Sequence, residues 1–269
     1  MSVRSCLNTV TIKQEPDLRR KIEIAAAAGY AGIGLWSDEL TRFEEDGGNL
    51  KEVRRWLEEA GLAVPEICAV TGWMYAEGDA KAVARDECRR RFAQARALGC
   101  GCVVACVSGA EGDLARAADD YRAVCEMADE FGVTPALEFL QGAKQVRNVT
   151  TAWEIVRRAD HPGANLLVDT FHFHVGGSRA ADLAEIPGHR VGLVHVNDAP
   201  DKPGLTDADR VFCGRGTFPL TDIFAALSAM GYSGYYSLEL FNPAYWQRDP
   251  AEVAKEGLET LRAVVQDAP

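Results

Sequence analysis

The stretch VTPALEFLQGAKQVRNVTTAWEIVRRADHPGANLLVDTFHFH, Val133–His174, decides the fold. Thr134–Phe139 and Asn165–Asp169 are short, almost continuously apolar runs, each carrying a carboxylate at or near its end. Between them, Thr151–Ala159 reads as an amphipathic helix. Strands that are apolar throughout are covered on both faces, which is the mark of a parallel sheet joined by crossover helices.

The same alternation extends in both directions. Strands are predicted at Val3–Leu7, Gly32–Leu35, Val64–Val70 and Cys102–Val107, then at Val191–Val196 and Tyr235–Leu240 beyond the quoted unit. Helices are predicted at Asp17–Ala28, Leu50–Ala60, Ala80–Leu98, Leu114–Phe131, Leu220–Met230 and Pro250–Val265, with a weaker pattern at Ser178–Glu185. Gly29, Gly61, Gly99 and Gly132 follow helical patterns, where a left-handed residue closes a helix before the next strand. Eight strand–helix units without a Pro/Gly/Ser linker favour one α/β domain over residues 1–269, a closed (β/α)8 barrel. No GxGxxG follows the first strand, which argues against a doubly wound dinucleotide-binding sheet.

Composition supports a globular chain, 47% apolar and 26% charged. Its 29 Lys and Arg against 40 Asp and Glu leave a net charge of −11, which argues against a nucleic-acid partner. The first twenty residues hold no apolar run of signal-peptide length, and no stretch approaches the roughly 18 apolar residues of a membrane helix. A soluble cytoplasmic protein with no membrane partner is expected. The eight cysteines contain no CxxC. Cys100, Cys102 and Cys106 fall on alternate positions of one strand, where core packing is the expected role and soft-metal or redox chemistry the alternative.

Catalytic residues of such a barrel collect at the C-terminal ends of its strands. The last four strands end on Glu138, Asp169, His195 and Glu239. A carboxylate closing an apolar run is costly unless it is paired or ligates a cation. Four such ends aimed at one mouth point to a single divalent metal, Mn²⁺ or Mg²⁺, with Zn²⁺ or Co²⁺ as substitutes. His172 and His174 follow the sixth strand, and His174 is expected as a pocket wall or a support for the ligands. His161 and His189 precede strands and belong at the opposite rim.

The runs ALEFL, LLVDTFHFHVGGS, VHVNDAPDKPGLTDADRVFCGRG and SLELFNPAYW resemble the sugar phosphate isomerase/epimerase superfamily, the xylose-isomerase-like TIM barrels. The likeness is concentrated in residues 133–246 and is strongest to the inosose isomerases. It implies the same metal set, substrate contacts from His172 and Arg210, and Glu138 and Glu239 as the acid/base pair. The implied activity moves a carbonyl between adjacent carbons of a keto-inositol through an enediolate. A ketose 3-epimerase, a 3-dehydroshikimate-type dehydratase and a non-catalytic sugar-binding barrel are the alternatives.

The superfamily also contains trinuclear zinc endonucleases. They need further histidines on strands three and four, and one after the Arg of DRH; this chain offers EICAVTGW, VVACVSGA and Val211. Asp198, which matches one of their extra ligands, is expected to orient Arg210 or its loop. The long connection Asp198–Thr217 reads as a lid or binding loop. Its GRG lacks the GK[ST] of a phosphate loop. Trp36, Trp73, Phe171, Phe241 and Trp246 follow strand ends and are candidates to wall a polyol or keto-sugar ring.

Overall fold

The computed structural model describes residues 4–107, 109 and 111–266. Eight parallel strands close in sequence order: β1 (Ser5–Asn8), β2 (Gly32–Trp36), β3 (Ile67–Val70), β4 (Cys102–Cys106), β5 (Thr134–Glu138), β6 (Asn165–Asp169), β7 (Val191–Val196) and β8 (Tyr236–Leu238). Around them run α1 (Leu18–Ala28), α2 (Ser37–Glu45), α3 (Leu50–Ala60), α4 (Gly78–Leu98), α5 (Leu114–Asp129), α6 (Val149–Ala159), α7 (Thr170–Val175), α8 (Leu220–Ala229) and α9 (Pro250–Gln266). The expected closed barrel is the architecture.

The ends of the elements have local causes. Asp17 caps α1 by accepting from the Arg20 amide at 2.9 Å, and Gly29 closes it at φ 91°. β3 starts at Ile67 rather than Val64, since Pro65 has no amide to donate to a ladder. β8 stops at Leu238, and the Leu240 amide turns instead to Thr11 Oγ1 at 3.0 Å. Two helices were not expected from the pattern, α2 and the short α7. The Ser178–Glu185 pattern shortens to a 3-10 turn, Ala180–Leu183.

Alternation along the strands makes two packed layers. Outward residues such as Ile33, Leu35, Val103, Leu137, Leu166, Val168 and Val194 join the helices in the main core. Inward residues Cys102, Ala136, Leu167 and Leu193 fill the lower barrel, and Cys68 and Val104 reach from it to the floor of the cavity at the mouth. Cys102 and Cys106 point inward while Cys100 packs in the outer layer, and all eight cysteines are free thiols. Register then sets the polar layer above: Asn8 pairs with Gly34, Cys106 with Glu138, Asp169 with His195, and His195 with Ser237.

Gly34 is required by that layer. A Cβ there would lie 2.1 Å from Glu66 Oε1, and Glu66 is fully buried and held by several hydrogen bonds. Gly34→Ala is therefore expected to lower unfolding free energy by roughly 1–3 kcal/mol. Gly101→Ala, whose Cβ would meet nothing within 4 Å, is the matched control and should leave the denaturation midpoint in place. Equal midpoints for the two variants in urea unfolding would refute the packing argument.

Candidate active site

The strand ends bring Glu138, Asp169, His195 and Glu239 together, all buried, with donor atoms within 4.8 Å of one another. His195 Nδ1 faces Glu138 Oε1 at 3.3 Å, Asp169 Oδ2 at 3.7 Å and Glu239 Oε2 at 3.2 Å. That nitrogen is buried and has no hydrogen-bond partner among the described residues. The other ring nitrogen, Nε2, lies 2.5 Å from Glu66 Oε2. A proton on Nε2, donated to Glu66, leaves the Nδ1 lone pair aimed among three carboxylates. This arrangement fits a divalent cation, and three oxygens with one imidazole suit a hard or borderline ion.

Glu66 was not anticipated from the sequence. It stands in VPEICAV just before β3 and is as completely buried as its apolar neighbours. The signal that exposed the other carboxylates, an acid inside an apolar run, was present there too. Its Oε1 accepts from Ser237 Oγ at 2.6 Å and Asn8 Nδ2 at 3.2 Å. Burial pushes the Glu66 pKa up, but the adjacent His195 and these donors outweigh it and hold the carboxyl below its usual range. Burial likewise acts against a charged His195, yet Glu239 and Glu66 raise its pKa well above the ordinary imidazole value, so a metal ion would take the Nδ1 lone pair by displacing a proton from it.

Arg210 is the buried cation of the site. Its Nη1 donates to Asp169 Oδ2 at 2.7 Å and Glu239 Oε2 at 3.0 Å, and its Nη2 and Nε to Asp207 Oδ1 at 2.6 and 3.0 Å. The guanidinium lies between the rings of Phe171 and Phe241, 4.8 and 5.2 Å from their centroids. Burial alone would raise the Asp169 pKa; Arg210, His172 and His195 prevail and hold it well below the usual carboxylate range. For Glu239 burial prevails over His195 and Arg210, and its pKa is raised.

A cavity of about 370 Å³ opens above these groups. Glu138, Glu239, His172, Arg210, Trp36 and Phe241 line it, together with Cys106, Gln141 and Asp207, which sequence reasoning missed. Cys106 donates its thiol to Glu138 Oε2 at 3.2 Å. His172 is flanked by two donors, Arg210 Nη2 3.2 Å from Nε2 and the Gln141 amide 3.4 Å from Nδ1.

Other expected residues lie elsewhere. Trp73 is buried against Tyr121 with centroids 5.6 Å apart and does not wall the cavity, because the β3–α4 connection folds outward onto α5. His174 is exposed and stacks on Phe218 at 4.3 Å, two residues and so about 200° around the helix from His172. Phe171 lies behind Arg210, and Trp246 is tied through Nε1 to Val10 O at 2.8 Å. Asp198 holds its loop rather than Arg210: its carboxylate accepts from the amides of Gly214, Gly216 and Phe218 at 2.9–3.0 Å. The two loop glycines thus direct their amides at the Asp198 carboxylate and do not hold them for a phosphate.

Replacing Glu66 tests the orientation of His195. Glu66→Gln keeps the volume but removes the charge that the Nε2 proton meets, and divalent-metal affinity measured by calorimetry is expected to fall about 10–100-fold. An unchanged affinity in a folded variant would show that the ring needs no such partner.

Comparison with known proteins agrees with this geometry. The chain is 27% identical over 274 residues to an inosose isomerase of Bacillus velezensis, covering 98% of this chain and 97% of the relative. It is 29% identical over 258 residues to a 3-dehydroshikimate dehydratase of Pseudomonas aeruginosa, 93% of this chain but only 40% of that protein's length. The chain thus spans about two fifths of the Pseudomonas dehydratases it matches. The crystal structure of IolI protein with a bound zinc atom superposes with a TM-score of 0.93 at 25% identity, covering 99% of both chains. The family described as xylose isomerase-like TIM barrel matches residues 22–264. With eight strands closed in sequence order and that match spanning most of its length, the chain belongs to the xylose isomerase-like TIM barrel family.

Proposed function

We propose that residues 1–269 act as one domain, a divalent-metal-dependent isomerase that moves a carbonyl between adjacent carbons of a keto-inositol. The observation that carries this reading is the convergence of Glu138 and Glu239 on one cavity beside His195 Nδ1, which has no hydrogen-bond partner among the described residues. Full-length similarity to an inosose isomerase supports the substrate class, and the zinc-bound IolI structure supports a divalent ion, with Mn²⁺ as the working choice. Eight free thiols and the acidic balance suit a reducing, cytoplasmic setting without nucleic-acid partners. Among the described residues no helix is long and apolar enough to cross a membrane.

Glu138, Asp169, His195 and Glu239 would hold the ion, which when bound supplies Lewis-acid polarisation of a substrate oxygen. One glutamate removes the proton from the carbon bearing the hydroxyl beside the carbonyl. The other returns a proton to the former carbonyl carbon, and the hydroxyl proton passes to the former carbonyl oxygen. Arg210 offsets the charge of the enediolate between those steps. His172 already faces donors on both sides, so donating to an oxyanion requires it to exchange one of those contacts. Trp36 and Phe241 offer apolar surface to the C–H face of a polyol ring.

The dehydratase reading has support from the Pseudomonas relatives. Its substrate bears a carboxylate, however, and Arg210 is the one Lys or Arg lining this cavity among the described residues. Three carboxylates already engage that guanidinium. A neutral keto-polyol therefore fits the mouth better than an anion does.

Three measurements test the proposal. EDTA should abolish turnover of 2-keto-myo-inositol and Mn²⁺, Co²⁺ or Mg²⁺ should restore it; full activity of metal-free protein would refute metal dependence. Glu138→Gln and Glu239→Gln should each retain substantial metal while losing about two decades of turnover or more, and near-normal rates would remove them as acid and base. In D₂O, NMR should find deuterium on a carbon next to, or formerly bearing, the carbonyl of a changed keto-inositol. Loss of water from 3-dehydroshikimate with keto-inositols untouched would establish the dehydratase, and inversion at C3 of a ketose alone the epimerase.

A further inference from the structure

A larger cleft, about 680 Å³, lies beside the mouth. Trp36 and Phe241 line both spaces, so the two are contiguous across this one aromatic pair. The pair meets edge to face, with centroids 5.8 Å apart and planes at 86°. Trp36 is fixed there because its Nε1 donates to Asn8 Oδ1 at 2.7 Å. The cleft is also walled by a second edge-to-face pair, Phe43 and Trp56, with centroids 5.7 Å apart. Neither Phe43 nor Trp56 touches the catalytic cavity.

The polar groups of the cleft restrict what it can hold. Four cations and five carboxylates line it, so its charge is nearly balanced and selects neither a phosphate tail nor a polycation. Lys21 is 3% exposed, and among the described residues its ammonium bonds only Glu39. Two of its donors remain for a hydroxyl or ether oxygen. Trp56 Nε1 is buried without a partner among the described residues. Two aromatic walls, with a buried ammonium whose spare donors can meet an uncharged oxygen, fit a neutral aromatic group joined through oxygen better than they fit an ion.

We propose that this cleft is a substituent subsite: it takes a neutral aryl group joined through oxygen to the polyol ring seated at the mouth. The preferred substrate is then an aryl-bearing keto-polyol rather than a free cyclitol. The shared Trp36–Phe241 wall is what makes one ligand span both spaces, since a ring resting on it in the mouth can carry its substituent over the pair. The inference rests on the keto-polyol reading for the ring and on the cleft alone for the substituent.

The metal-loaded chain is tested with three probes: 2-keto-myo-inositol, its O-phenyl ether, and an O-phenyl inositol ether lacking the carbonyl. Calorimetry should find the phenyl ketone bound about tenfold or more tighter than the free ketone. With 5-fluorotryptophan label, the fluorine resonance of Trp56, identified by Trp56→Phe, should shift with both phenyl compounds and not with the free ketone. Trp56→Ala should weaken phenyl-ketone binding about tenfold and leave the free ketone unaffected; Phe43→Leu, a milder change, should act in the same direction if the first variant folds poorly. Equal affinities with an unmoved Trp56 signal, while the free ketone turns over, would overturn the subsite and leave the isomerase reading standing. Binding of the carbonyl-free phenyl ether through Trp56, with no ketone turned over, would uphold the subsite and sink the isomerase reading.

Discussion

The contact between His195 Nε2 and Glu66, at 2.5 Å, organises the whole site. It commits one face of the imidazole inward, and so directs Nδ1 at Glu138, Asp169 and Glu239. Glu66 is in turn held by Ser237 and Asn8, and Asn8 also reaches Glu239 and Trp36. One buried network therefore joins strands β1, β2, β7 and β8 to the start of β3. Apart from the half-buried Trp36 its members are buried at low dielectric, where a partnered polar network is rigid and a broken one is costly.

The second constraint is charge. Glu66, Glu138, Asp169 and Glu239 are all buried inside one barrel, and carboxylates this close repel unless cations intervene. Arg210 meets part of that demand through Asp169 and Glu239, and the donor set has room in chemistry for a divalent ion to meet the rest. Asp169 divides its two oxygens between tasks. Oδ1 accepts from the amides of Phe171 and His172 and so starts α7, while Oδ2 faces Arg210 and His195. The same residue thereby fixes where His172 enters the cavity.

Arg210 owes its position to a loop built around Asp198. The backbone of Asp198 pairs with Val211 in both directions, at 3.0 and 2.7 Å, and its carboxylate gathers the amides of Gly214, Gly216 and Phe218. A Cβ at Gly216 would lie 2.2 Å from Ala199 O, so this turn closes only around glycine. The loop is thus a scaffold for the guanidinium. Its bonds to Asp198 tie down the turn that follows Arg210, and Asp207 and Arg210 line the cavity, which agrees with the binding loop that its length suggested as the alternative to a lid.

Local pattern carried much of this molecule. The eight apolar runs, the helix-closing glycines Gly29, Gly61 and Gly99, and the acids or histidine at the ends of β5–β8 are all readable because burial, capping and strand ends leave one-dimensional marks. Glu66 was also marked by its apolar neighbours, but its position before β3 hid its relation to the strand ends. Other decisions belong to the tertiary structure. Only closure of the barrel places Glu66 under His195, 129 positions away, and only register brings Asn8 and Ser237 beside it. Trp36 and Trp73 lie at and just beyond the ends of successive strands and read alike, yet one turns inward to Asn8 and the other packs outward on Tyr121. His172 and His174 are two residues apart on α7, and its pitch sends them to different faces. A chain can specify which residues are apolar, acidic or aromatic, but a side chain's partner is chosen by whatever the closed sheet sets opposite it.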